Sequence, residues 1–311
     1  MRMSTKFFKA KAHREISLEE LSEIVKATED DLNVESIKSM SHMLQGLCVN
    51  PQWFLEYLNQ QLKSNFESDD VYGNSYTSNS FVLERKPLGK RSKPFLFLVR
   101  ANVWLPVTDS LRKNAGKNLF AEDLLHDHSF HLLTAGLLGP GYRTEICEYD
   151  FNTCVGLRDE EVDTSAYQVL QLTRESALFM EKNKTIHTQL PPEEPSVSLN
   201  LIFQPHSSLT RQYIFDRIDS QRLRIKSIHY TSQLNLTATQ NLINICGSFA
   251  NANTMQIMLD LYRRLLDRVD QNEPSLLILL GWFKQLGIEY EAINHRNRKL
   301  SPLMKHALKV L

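Results

Sequence analysis

The sequence has no long apolar run, no excess of either charge and few cysteines. No stretch reaches the roughly 18 apolar residues of a transmembrane helix, and the N-terminus lacks the apolar core of a secretory signal. Lysine plus arginine and aspartate plus glutamate number 36 each, so no net field favours nucleic acid or an anionic membrane. The four cysteines form no CxxC pair, which favours reduced thiols. We therefore expect a soluble cytoplasmic protein that binds neither nucleic acid nor membrane.

The 311 residues have ordinary globular composition, with 42% apolar and 23% charged residues, and they divide into three zones. Residues 1–65 are predicted to be helical, since Ser17 with Glu20 resembles a capping box and Asn50 precedes Pro51 at a helix start. Residues 233–311 are again helical in pattern, with Pro274 and Pro302 near helix starts. We expect this last segment to be a helical cap on the middle zone.

The middle zone, residues 66–232, is predicted to be a β domain. Short segments rich in β-branched and aromatic residues are separated by Gly, Pro, Asn and Asp, which is typical of a sandwich or barrel. No helical segment between them is long enough for a βαβ crossover, which argues against a parallel sheet.

Three histidines in this zone have the spacing of a metal site. His126 and His128 project to one face if they share a strand, because side chains two apart point the same way. His187 follows 187 − 128 = 59 residues later and precedes a Pro/Glu-rich turn and an alternating segment. Neutral imidazole is a good ligand for iron, copper, nickel or zinc. His131 is left out, since it lies three residues from His128 and would face the other side.

With these two motifs the sequence resembles the cupin superfamily, and within it the cysteine dioxygenase-type proteins. The resemblance covers about 100–150 residues and implies a double-stranded β-helix barrel with three histidine ligands. Fe(II) is the implied metal, although another divalent transition metal remains open. The glutamate that many cupins place after the first motif is missing, because Leu132 and Leu133 occupy that region. Glu145, on a neighbouring predicted strand, remains the carboxylate that could complete a different ligand set.

A substrate site requires further groups, for which Arg100, Arg143 and Tyr142 are the candidates. An arginine can hold a substrate carboxylate in a bidentate fork, and the resemblance implies one without identifying it. Tyr149 or Tyr167 is an alternative hydrogen-bond donor near the metal.

The favoured function is a non-haem Fe(II) oxygenase that acts with O₂ on a small molecule, an amino acid or a peptide side chain. The alternatives are a metal-cupin isomerase, lyase or hydrolase, and a non-catalytic cupin that binds or regulates. The flanking helices could cover the barrel mouth, hold a larger substrate or form a homodimer interface, but a simple packing cap is the first expectation.

Overall fold

The protein is described from a computed structural model, which covers residues 5–9, 14–67, 79–88, 95–109, 124–205, 211–230, 242–288, 300 and 302–309. The labelled helices are α1 Leu18–Ala27, α2 Val34–Ser39, α3 Ser41–Leu47, α4 Gln52–Glu67, α5 Ala252–Leu265, α6 Val269–Gln285 and α7 Pro302–Lys309. The strands are β1 Lys6–Lys9, β2 Ser80–Leu88, β3 Phe95–Trp104, β4 Leu125–His126, β5 His131–Leu138, β6 Tyr142–Glu148, β7 Glu161–Asp163, β8 Gln168–Leu172, β9 Ser176–Met180, β10 Thr185–Leu190, β11 Ser196–Pro205, β12 Arg211–Arg217 and β13 Arg222–Tyr230. A further helical stretch covers 242–248.

The strands form two sheets whose described pairs are all antiparallel. A six-stranded sheet has the order β1-β9-β5-β11-β3-β2, and a seven-stranded sheet has the order β7-β13-β12-β4-β10-β6-β8. Their facing side chains make a common core, whose buried members are Trp104, Leu132, Tyr142, Leu172, Leu178, Met180 and Ile202. The expectation of a mainly β domain without parallel strand pairs, flanked by helices, is confirmed for the described residues. We call the space between the two sheets the barrel interior.

The N-terminal segment contains a strand that the sequence did not predict. Lys6–Lys9 pairs antiparallel with β9, while α1–α4 follow as expected. The Ser17 hydroxyl accepts a hydrogen bond from the Glu20 amide at 3.1 Å, whereas the Glu20 carboxylate contacts Arg14 at 2.7 Å. Residues from these helices and from the outer face of the six-stranded sheet belong to one apolar cluster. The predicted boundary at residues 65–66 falls inside α4.

The C-terminal helices have a separate apolar cluster, whose largest members are Tyr262 and Phe283. Pro302 is the first residue of α7 as predicted, but Pro274 lies inside α6. The reason is that the 3₁₀ turn Leu266–Arg268 leads directly into α6, so this helix begins before the proline. The predicted boundary at residues 232–233 lies outside the described residues. None of the described helices combines the length and the apolarity that crossing a bilayer would need.

A candidate metal centre of three histidines

His126, His128 and His187 converge in the barrel interior, as the sequence predicted. His126 ends β4 and lies opposite His187 on β10, with 4.5 Å between the ring centroids. The His128 ring centroid lies 4.8 Å from each of the other two. All three residues are buried, and one potential ligand atom from each lies within 4.8 Å of the others. Among the histidine, cysteine, aspartate and glutamate side chains of the described residues, these three are the group that lies close enough together to hold one metal ion.

The local structure around His128 differs from the expected single strand. Because β4 stops at His126, His128 lies beyond the strand end. The intervening Asp127 is fully buried on the opposite side, where it accepts hydrogen bonds from the Tyr149 hydroxyl at 2.6 Å and the Tyr213 amide at 2.5 Å. Burial raises the pKa of Asp127 to about 7. These two bonds fix Asp127 on one side of the backbone, so that His126 and His128 on either side of it face the barrel interior.

The hydrogen bonds of the rings determine which nitrogens are free to bind. His126 donates from Nδ1 to the Leu124 carbonyl at 2.8 Å, which leaves the Nε2 lone pair available. The Nε2 atoms of His128 and His187 are 2.8 Å apart. The Phe130 ring stacks on His128 with 4.5 Å between the centroids and holds that ring against the core. The potential ligand nitrogens of the three rings therefore face one small region and lie within 4.8 Å of one another.

Burial keeps the three imidazoles neutral. It lowers the pKa of His126 and lowers the pKa values of His128 and His187 well below their ordinary range, because charge is costly away from water. The charge of Arg100 lowers the pKa of His126 and His128 further. Neutral imidazole is the form that binds a metal ion, so the residues present fit a divalent transition metal. His128 Nδ1 is also buried without a partner in the described part of the chain.

No carboxylate of the described residues joins the cluster. Glu145 points away from the interior and pairs with Arg217 at 2.6 Å. Leu132 and Leu133 are buried in two different apolar clusters, on opposite sides of β5. Within the described residues, the candidate ligand set therefore consists of three histidines and no carboxylate.

Two of the three predicted substrate residues face the barrel interior. Arg100 has a buried Nε without a partner among the described residues, and burial lowers its pKa. The Tyr142 ring lies against Trp104 with 4.5 Å between the centroids, and burial raises the Tyr142 pKa to about 12. Arg143 is exposed, since it follows Tyr142 on β6 and alternate side chains point to opposite faces. Arg143 therefore lies outside the candidate site.

The other tyrosines and His131 are also away from the cluster. Tyr149 donates to Asp127 behind the histidines, and Tyr167 lies under the Arg217 guanidinium, 4.1 Å from its ring centroid. His131 stacks on Phe179 and accepts a hydrogen bond from the Lys182 amide at 3.3 Å. His131 therefore lies outside the three-histidine cluster, as expected from its position three residues after His128.

Sequence reasoning missed Gln189, whose amide Nε2 lies 3.0 Å from His187 Nδ1. Its position two residues after His187 on β10 was the available signal, because such residues share a face.

Comparisons with known proteins identify no family for the chain. No family model matches, and no curated protein matches. Among solved structures, a chain from the crystal structures of the DMSP lyases RdDddP and RnDddQII is 12% identical, with 40% of this chain and 45% of that chain covered and a TM-score of 0.19. A cobalt(II) form of HppE in complex with Tris buffer is 13% identical, with 44% and 60% covered and a TM-score of 0.19. The chain spans about half the length of these structures. At TM-scores this low, neither likeness indicates a function for this chain.

Proposed function

We propose that the β domain is a cupin-type double-stranded β-helix that holds one Fe(II) ion on His126, His128 and His187. In this proposal the protein oxidises a small anionic molecule, an amino acid or a peptide side chain with O₂. The observation that carries it is the convergence of three buried, neutral imidazoles in an interior that also contains an arginine nitrogen with no partner among the described residues. Another divalent transition metal is the variant of the proposal that metal analysis would distinguish. Cytoplasmic location and homodimer formation stay predictions.

The charge of the interior favours an anionic substrate. Three neutral histidines do not offset the charge of a divalent cation, and Arg100 adds a further positive charge on β3. A bound Fe(II) ion would supply redox chemistry and coordination positions for substrate and O₂. Arg100 Nε, which has no partner within the described ranges, is a donor for a carboxylate or similar group that would orient the substrate relative to the histidines.

Tyr142 adds a hydroxyl group, and its neighbours add apolar rings, to this interior. With its pKa raised to about 12, the Tyr142 hydroxyl remains protonated at neutral pH and can donate a hydrogen bond to a bound anion. Trp104 is buried against Tyr142, while Phe130 packs against His128. These rings exclude water, and a drier site strengthens the attraction between Arg100 and an anion.

The first test compares His187→Ala with His131→Ala. Both histidines are buried, but His187 alone is in the cluster. We expect wild type and His131→Ala to bind about one Fe(II) per chain and His187→Ala to lose it, as measured by elemental analysis and chelator competition. Fe(II)-dependent O₂ consumption with a panel of thiols and amino acids should follow the same pattern.

The outcomes separate the proposed oxidation from other functions. Equal metal loss in both histidine variants, with both proteins folded, contradicts the three-histidine site. Tight zinc, nickel or manganese binding without O₂ consumption would support an isomerase, lyase or hydrolase instead. Absence of any bound metal in wild type would leave a non-catalytic binding protein.

The second test compares Arg100→Met with Arg143→Met. Because Arg100 faces the interior and Arg143 is exposed, we expect only Arg100→Met to raise KM for an anionic substrate, by about 10- to 100-fold for the loss of a charged hydrogen bond. Iron content should be unchanged in both variants. Equal KM values for the two proteins would remove Arg100 from substrate binding.

A further inference from the structure

We infer that Gln189 is a positioning residue whose side-chain amide selects the tautomer of His187 and rotates by half a turn when a metal ion binds. This inference rests on the proposed metal site and adds a metal-dependent rearrangement to it. Two features carry it: the contact between the Gln189 amide and His187, and two buried polar atoms, Gln189 Oε1 and His128 Nδ1, that have no partner in the part of the chain the structure describes.

Without a metal ion, one chain of hydrogen bonds accounts for the observed contacts. Gln189 Nε2 lies 3.0 Å from His187 Nδ1, and an amide nitrogen can only donate. His187 Nδ1 must then be the acceptor, so the His187 proton is on Nε2. That proton points to His128 Nε2 at 2.8 Å, and neutral His128 carries its own proton on Nδ1. This arrangement leaves Gln189 Oε1 and His128 Nδ1 unpaired, as observed among the described residues.

A metal ion on His187 Nε2 requires the opposite tautomer. The Nε2 lone pair binds the ion, so the proton moves to Nδ1, which becomes a donor. A donor facing the Gln189 amide nitrogen is unfavourable, whereas Gln189 Oε1 is an acceptor of the same amide group. Rotation of the amide exchanges its two ends and brings the Oε1 acceptor to Nδ1, so that the contact between Gln189 and His187 is again a hydrogen bond. Partners of this kind fix the orientation of metal-binding histidines and increase their affinity.

The position of Gln189 suits this role. Gln189 is 7% exposed and lies on the same face of β10 as His187. Its neighbour Thr188 is 5% exposed and faces the other way, also with a buried hydroxyl that has no partner within the described ranges. Thr188 therefore provides a matched control on the same strand.

The test uses the full chain with Zn(II) as a diamagnetic probe. Long-range ¹⁵N–¹H spectra of the histidine rings should show the His187 proton on Nε2 without Zn(II) and on Nδ1 with it. Competition with a chelator should show Gln189→Leu binding Zn(II) about 10- to 100-fold more weakly than wild type. Gln189→Glu, which keeps an oxygen acceptor, should restore binding to the wild-type level or above. Thr188→Val should bind as wild type does.

Each other outcome has a defined meaning. If His187 has the same tautomer with and without Zn(II), the rearrangement is overturned while the metal site stands. If Gln189→Leu and Gln189→Glu lose affinity equally, or Thr188→Val loses as much, the residue has only a packing role. If wild type binds neither Zn(II) nor Fe(II), the proposed function fails, and the inference fails with it.

Discussion

The helices before the β domain and the helices after it relate to the barrel in different ways. Apolar residues of α1–α4 share a single cluster with the outer face of the six-stranded sheet, including Phe54 and Phe203. The helices α5–α7 instead surround their own cluster, and a buried ion pair between Arg211 and Glu273 at 3.3 Å connects them to β12. The difference indicates that the N-terminal helices share a core with the outer face of the six-stranded sheet, whereas the C-terminal helices have a core of their own.

The largest expected effects come from truncating one aromatic ring in each cluster. Phe54→Ala and Phe283→Ala remove fully buried side chains, so each should lower the free energy of unfolding by about 3–5 kcal/mol. We expect Phe54→Ala to lower both the unfolding midpoint of the β domain and its retention of an added metal ion. Phe283→Ala should lower mainly the unfolding midpoint of the C-terminal helices. Denaturant titration followed by circular dichroism and by a metal-site signal measures both. Identical changes of both signals in the two variants would show a single cooperative unit.

The next effect concerns the buried ion pair. Arg211 and Glu273 side chains are 5% and 6% exposed, so Glu273→Gln leaves a buried guanidinium without its counter-charge and should cost about 2–3 kcal/mol. Glu161→Gln is the control, because Glu161 is half-exposed next to Arg222 and should lose at most about 1 kcal/mol. Equal losses in thermal unfolding would mean that the connection between helices and barrel does not depend on this pair.

A smaller effect is expected from removing one N-cap side chain in each helical region. Ser17 caps α1 and Asn251 caps α5 through side-chain oxygens, so alanine at either site should cost about 1 kcal/mol. Hydrogen exchange should show the Ser17→Ala loss across the barrel strands and the Asn251→Ala loss only in α5–α7. Protection lost throughout the chain in Asn251→Ala would remove the distinction between the regions.

The smallest expected effect is a difference in reactivity between two native cysteines, which needs no substitution. Burial raises the pKa of Cys48 to about 12, so little thiolate is present at pH 8 and the shared core also blocks access. Cys246, in the helical stretch 242–248, is partly exposed. We expect an alkylating reagent to modify Cys246 quickly and Cys48 only on global unfolding, as followed by peptide mass spectrometry. Rapid native labelling of Cys48 would contradict a tightly packed N-terminal core.

The sequence predicted that His126, His128 and His187 would lie together, and the structure places them in one cluster, although part of the reasoning for His128 was wrong. The interpretation placed His126 and His128 on one strand, but the strand ends at His126 and the buried bonds of Asp127 determine where His128 points. Those bonds come from Tyr149 and Tyr213, which no local pattern connects to Asp127. Because side chains alternate along a strand, the sequence predicts that Tyr142 and Arg143 point to opposite faces of the sheet. It does not say which of these faces lies toward the barrel interior.

Features that depend on distant pairing were not predictable. The strand β1 has four residues, too few for a periodic signal, and it exists through pairing with β9. Pro274 suggested the start of a helix, but α6 begins at Val269, directly after the 3₁₀ turn that precedes it. Gln189 acquires its role only when His128 and His187 are brought together by the fold.

The strand β1 also protects the border of the six-stranded sheet. It occupies the end of the strand order, and its terminal residues Lys6 and Lys9 are exposed. Directly behind it, the five residues Ser176–Met180 are all buried. Without β1 the backbone groups of this apolar strand would be open to pairing with another chain, whereas a short border flanked by lysines discourages such pairing. A chain shortened by residues 1–9 should therefore aggregate at concentrations where the full chain stays dispersed, as light scattering would detect.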